Sequence, residues 1–96
     1  MPQVIWSPTA SRDIDRHYNF LLTRDATVAA KVVREIIKTG GSLAQSPYRG
    51  TIVQQKAGLR KLLVSFGKYG YVIHYTVIEE EVIILRVYQG RENRPN

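Results

Sequence analysis

The chain has no cysteine, one methionine, one tryptophan and two histidines in 96 residues. Without cysteine there is no disulfide framework, no thiolate nucleophile and no sulfur-ligated zinc. His17 and His74 lie on separate predicted elements with no carboxylate at ligand spacing, so no metal site is expected. No apolar run approaches the roughly 18–20 residues that span a bilayer. The opening "PQVIWS" lacks the basic and apolar regions of a signal peptide. "SFGKYGY" matches neither the Walker pattern nor the dinucleotide fingerprint, and its glycines suit a hairpin turn. These absences predict a cytoplasmic protein with no membrane association and no cofactor.

What is present is an ordinary hydrophobic fraction, 44%, and a net charge of +6. The first excludes wholesale disorder and fits one domain over residues 1–96 with a modest core. The charge is uneven. Residues 1–46 carry six basic and four acidic side chains; residues 47–96 carry eight and four, with three of the acids together at Glu79–Glu81. Away from that triplet the second half is strongly basic, a field that favours nucleic acid or an acidic protein partner.

"QVIWS" predicts a short first strand with Val4 and Trp6 on one face. Ser7-Pro8 then signals a helix start, since serine caps free N–H groups and proline at the first position has none to satisfy. Asp13 and Asp15 lie near enough to that end to favour the helix dipole a little. Ala10, Ile14, Tyr18 and Leu21 form an apolar stripe to about Leu22, which leaves His17 on the helix surface. Asp25 caps a second helix whose stripe, Ala29, Val32, Val33, Ile36, Ile37, Gly40, Leu43 and Ala44, keeps phase through Gly40-Gly41. Each glycine costs roughly 1 kcal/mol against alanine in a helix. The unbroken phase still carries the helix to about Ser46-Pro47, with Gly40 admitting a neighbouring backbone. From Thr51 the period becomes two. "TIVQ", "LRKLLVSF", "YVIHYTVI" and "EVIILRVYQ" are strands, and the short "GKYG" and "EE" turns between the last three make those antiparallel neighbours. In the last run Ile83, Leu85 and Val87 are assigned to the helix-facing side, and Val82, Ile84, Arg86 and Tyr88 to the other. The expected fold is α+β: a short N-terminal strand and a two-helix hairpin packed on an antiparallel sheet of about four strands.

The remaining chemistry is basic and aromatic: Arg60, Lys61, Lys68, Tyr69, Arg86, Tyr88, Arg91 and Arg94. Guanidinium groups grip phosphates or carboxylates in bidentate fashion, and tyrosines stack on bases. A metal-free nuclease would use such cations to stabilise a phosphorane and a further group to move protons. Glu92 is the acid nearest the tail cations.

The stretches "WSPTASRDID", "SLAQSPYRG", "AGLRKLLV", "YGYVIHYTV" and "VIILRVYQGRE", in this order and spacing, resemble the RelE/ParE family of bacterial type II toxins over nearly the whole chain. The resemblance implies a cognate antitoxin, ParD- or RelB-like, that wraps the toxin in a hetero-oligomer, with an apolar groove beside sheet and helices to receive its helix or strand. RelE-like members cut messenger RNA in the ribosome, and that branch implies catalytic roles for Arg60, Lys61, Arg91 and Glu92. The sequence departs from it in several places. Leu62 and Val72 stand where further charge is expected, no tyrosine follows Arg91, and Gln89 stands where many relatives have histidine. Glutamine cannot exchange a proton near neutral pH. The resemblance therefore points to the ParE-like branch, which implies a non-enzymatic inhibitor of DNA gyrase. Arg60, Arg86, Tyr88, Arg91 and Arg94 are then the target-binding candidates. The alternative is a ribosome-dependent messenger endoribonuclease.

Overall fold

The computed structural model describes residues 2–92. Strand β1 (Val4–Trp6) leads into helices α1 (Pro8–Leu22) and α2 (Ala26–Gly41), and a short 3-10 turn (Ser42–Ala44) follows. The rest is strand: β2 (Thr51–Gln54), β3 (Leu59–Val64), β4 (Tyr71–Ile78) and β5 (Glu81–Gln89). The caps are those the sequence indicates. The Ser7 hydroxyl accepts from the Ala10 N–H, with Pro8 in the first turn, and the Asp25 carboxylate accepts from the Thr27 and Val28 N–H groups.

The sheet order is β1-β5-β4-β3-β2. β2 to β5 form the expected antiparallel set, but β1 joins β5 as a fifth, parallel strand, with Val4 opposite Val82 and Trp6 opposite Ile84. A parallel pair needs a long crossover, and both helices and three strands lie between these two.

Both helices cover one face of the sheet. Ala10, Val32, Ile36 and Leu43 pack there on Tyr71, Ile73 and Tyr75 of β4 and on Val82, Ile84 and Val87 of β5. The expected division of β5 is therefore corrected: Val82 and Ile84, not Ile83 and Leu85, face the helices. The cause is a bulge. Tyr75 lies opposite Ile84 and His74 opposite Arg86, so Leu85 is the extra residue and the alternation restarts beyond it. Ile73 opposite Val87 then returns Val87 to the core face.

The second helix is regular only to Gly41 and tightens into the 3-10 turn, which keeps Leu43 fully buried. Gly40 does admit a close neighbour, but it is a side chain and not a backbone: a Cβ there would lie 2.5 Å from the Trp6 ring. Gly41 has open space around it and helical backbone, φ −62° and ψ −28°. Gly40→Ala should destabilise by about 1–3 kcal/mol through overpacking, whereas Gly41→Ala should stabilise by up to about 1 kcal/mol. Urea unfolding of the two variants checks the contrast.

The β4–β5 hairpin turns on Glu79 and Glu80, with φ of 50° and 65°. A two-residue turn of this hand favours Asn-Gly, and left-handed backbone costs other residues about 1 kcal/mol or more each. Glu79→Asn combined with Glu80→Gly should raise stability by about 1–2 kcal/mol, read as a higher thermal midpoint.

Candidate functional site

β1 ends at Trp6, so the outer edge of β5 beyond Ile84 has no strand beside it, and buried backbone groups need partners. The start of α1 supplies them. The Ser7 N–H donates to the Ile84 carbonyl, and the Ser7 hydroxyl to the Leu85 carbonyl at 3.1 Å. The Val87 N–H donates to Asp13 Oδ2 at 2.9 Å, and His17 Nε2–H donates to the Val87 carbonyl at 2.9 Å. Asp13 and His17, one helical turn apart, thus bracket the two backbone groups of a single residue.

Asp13 does more than favour the helix dipole; it is 4% exposed, and Arg86 donates to both of its oxygens, from Nε at 2.7 Å and Nη2 at 3.1 Å. His17 is not a surface residue; it is 5% exposed. Ala10, Asp13 and His17 share one helix face at spacings of three and four, and polarity hid the last two from a reading that sought apolar stripes. Burial raises the Asp13 pKa, but the Arg86 hydrogen bonds, the Val87 N–H, the Arg86 charge and Arg16 outweigh it, so the net shift is downward. Burial lowers the His17 pKa, aided by the Arg16 charge and opposed by the bond to Val87, with the net shift downward. The ring is therefore neutral near pH 7, with its proton on Nε2.

Beyond β5 the chain turns. The Gly90 N–H donates to the Gly70 carbonyl at 2.9 Å, and a Cβ on Gly90 would collide with the Tyr69 carbonyl oxygen. That approach sets Arg91 over the Tyr69 ring, 4.7 Å from its centroid, while Lys68 Nζ lies 5.4 Å from the same ring. Glu92 closes the turn: Oε1 accepts from the Gln89 N–H at 3.0 Å and Oε2 from Arg16 Nη2 at 2.9 Å. Arg16 ties Glu92 to α1, an attachment that the sequence reading missed.

The predicted site residues divide by position. Arg60 donates to the Tyr48 and Gly50 carbonyls at 3.0 and 2.8 Å, holding the segment before β2. Lys61 lies opposite His74, and His74 opposite Arg86, which puts these three in one row on the face away from the helices. Arg86 stacks over Tyr88 at 4.8 Å, and the His74 ring meets Tyr88 edge-on at 5.1 Å. Arg91 and Glu92 sit at the tail turn, beyond the end of β5 at Gln89. No side-chain hydrogen bond or ion pair joins Arg60, Lys61, Arg91 and Glu92 among the described residues. Arg94 lies outside the described residues. No group of three His, Cys, Asp or Glu that could hold a metal occurs among the described residues, and no helix there is long and apolar enough to cross a membrane.

An apolar groove of about 550 Å3 runs beside β1 and between the helices, lined by Trp6, Ser11, Ile14, Asp15, Val33 and Ile37.

Two helices on a mixed five-strand sheet with a short N-terminal strand match the fold of the RelE/ParE toxins. Residues 4–94 match the family model described as the ParE toxin of type II toxin-antitoxin system, parDE. The chain belongs to this family and is a type II toxin–antitoxin toxin. It is similar to Toxin RelE3 of Caulobacter vibrioides, 33% identical over 94 residues, covering 98% of this chain and 100% of that protein. Toxin RelE1 of the same organism is 32% identical over 91 residues, covering 95% and 96%. In fold it resembles a chain of the chromosomal ParDE system from P. aeruginosa, TM-score 0.77 at 22% identity, covering 93% of this chain and 96% of that one. It also resembles one from the RelBE2 toxin–antitoxin complex of Mycobacterium tuberculosis, TM-score 0.58 at 24% identity, covering 93% and 99%.

The Asp13 and His17 assignments set the pH response. The folded state holds His17 below its ordinary 6.5, so the unfolded chain takes up that proton first as pH falls. Its share of stability is present above that value and is lost as pH falls below it. Asp13, held below 3.8, contributes above that value and is lost as pH falls through it. Urea midpoints should therefore decline on acidification in two stages, and His17→Gln should remove the earlier one. Asp13→Ala should cost about 3 kcal/mol at neutral pH, the low end for breaking a buried pair, because Arg86 can turn to water.

Proposed function

We propose that the protein inhibits DNA gyrase by binding it, without cutting nucleic acid, and that a cognate ParD/RelB-like antitoxin neutralises it. The supporting observation is the tail turn. Arg91 is exposed and held over Tyr69, an arrangement that presents a cation and a ring together as binding hot spots do. The acid beside it, Glu92, already accepts from Arg16 and from the Gln89 N–H, and Gln89 itself carries no titratable group. The turn thus offers contacts in place of proton transfer. Arg86 and Tyr88 extend the same cationic and aromatic character along β5, with Arg60 and Arg94 as further target contacts.

For the antitoxin, the groove between α1 and α2 is the docking surface, with Ile37 half-exposed beside Trp6 and Ile14. An amphipathic helix laid there would bury its apolar face.

Messenger cleavage on the ribosome has one observation in its favour, the row of Lys61, His74 and Arg86 on the sheet face away from the helices, in which His74 is buried. A histidine between two cations is an arrangement that a nuclease could use.

Supercoiling by purified gyrase decides between the two. Arg91→Ala with Arg94→Ala should raise the concentration for half-inhibition at least about tenfold, equivalent to about 1.4 kcal/mol of contact energy. Unchanged inhibition would remove the tail from the mechanism. Cleavage of ribosome-bound message with gyrase unaffected would replace this reading with the second.

A further inference from the structure

Between the C-terminal half of α1 and the tail turn lies a cavity of about 360 Å3, lined by Arg16, His17, Phe20, Tyr71, Gln89 and Glu92. Its deepest walls are His17, 5% exposed, and Tyr71, 6% exposed, whose rings meet edge to face at 5.1 Å. Neither uses its full hydrogen-bonding capacity. His17 commits Nε2–H to the Val87 carbonyl, which leaves Nδ1 as an acceptor with no partner among the described residues. Among the described residues, the Tyr71 hydroxyl and the Gln89 side-chain amide have no hydrogen-bond partner. Burial also raises the Tyr71 pKa, so its O–H stays available as a donor.

Charge narrows what could fill the space. Arg16 and Glu92 face it as a pair 2.9 Å apart, so their fields largely cancel. An anion would meet the Glu92 carboxylate and the His17 lone pair, and a cation would meet Arg16. The occupant that fits is neutral. It must donate to His17 Nδ1 and accept from Tyr71 O–H, while the Gln89 amide can serve either sense. Phe20 adds a flat apolar wall; it is 54% exposed, with the Arg24 guanidinium over the ring at 4.0 Å. A planar heterocycle with donors and acceptors side by side along its rim meets all of these demands. The volume falls in the lower part of the roughly 300–1,000 Å3 range of small-molecule sites.

We propose that this cavity binds the base of a nucleoside or nucleotide, with Phe20 stacking, Tyr71 donating, His17 Nδ1 accepting and Gln89 reading the remaining edge. A smaller cavity beside it shares Tyr71 and Gln89 and adds Lys68. A 5′-phosphate directed that way would meet the ammonium group, which separates the two sources of the base. The site is independent of the gyrase reading, since binding is measured without any target protein.

The test is an NMR titration of the full chain with adenosine, guanosine, cytidine and uridine, and with their 5′-monophosphates. At least one nucleoside should shift Phe20, Tyr71 and Gln89 signals saturably. Tyr71→Phe should keep the thermal midpoint, because its hydroxyl bonds nothing among the described residues, yet weaken binding about fivefold, the worth of roughly one net hydrogen bond. Phe20→Ala should weaken it further. A monophosphate that binds more tightly identifies a nucleotide as the ligand, and equal affinity identifies the nucleoside. Absence of saturable shifts with every compound, shifts reproduced by inorganic phosphate alone, or a Tyr71→Phe variant that binds as well as the parent would each overturn the assignment.

Discussion

One carboxylate holds this molecule's two ends together. Asp13 sits at the place where β5 runs out of a neighbouring strand, and it accepts both the Val87 N–H and the Arg86 guanidinium. A three-residue β1 cannot cover a nine-residue β5. The uncovered edge would otherwise leave buried backbone groups unsatisfied or present a template for aggregation. By giving that edge to Ser7, Asp13 and His17, the fold fixes where α1 lies along the sheet. It also fixes which way Arg86 points and where the chain leaves β5 for the tail turn.

Much of this was legible in the residues. Period-two patterning located β3 to β5, Ser7-Pro8 and Asp25 marked the helix starts, and the phase through Gly40-Gly41 carried the second helix toward Leu43. The joint was not legible, because its members break the rules that find elements. Asp13 and His17 occupy the buried face of α1 in phase with Ala10. A polar side chain in phase with a core stripe was the available signal, and it identifies a partner on another element, not which one. The bulge at Leu85 has no mark in the sequence, and it alone reversed the assignment of faces along β5. The parallel pairing of β1 is likewise a long-range fact that no local pattern encodes.

The candidate site was legible as a composition and not as a place. Arginines and tyrosines near the end of the chain were apparent, but the structure spreads them over different duties. Arg60 anchors the approach to β2, Arg86 divides itself between Asp13 and the Tyr88 ring, and Arg91 rests on Tyr69. A cation that also holds the fold cannot be read from an alanine scan alone, since its loss disturbs the scaffold and the surface together. Arg91, whose described contact is one exposed ring, is the cleaner probe.

The pairing of β1 with β5, together with the bracket around Val87, has a consequence in time. Residues from the first fifth of the chain have their partners in the last fifth, and contacts so distant in sequence close late and slowly. During synthesis the helices can form early, but Asp13, His17 and Trp6 wait without counterparts until β5 has been made. The strand and turn that carry Arg86, Tyr88 and Arg91 therefore come into being only with the final stretch of translation. A truncated chain that lacks β5 loses the sheet's second strand, and with it the partners of β1, Ser7, Asp13 and His17, so an interrupted product cannot close the fold.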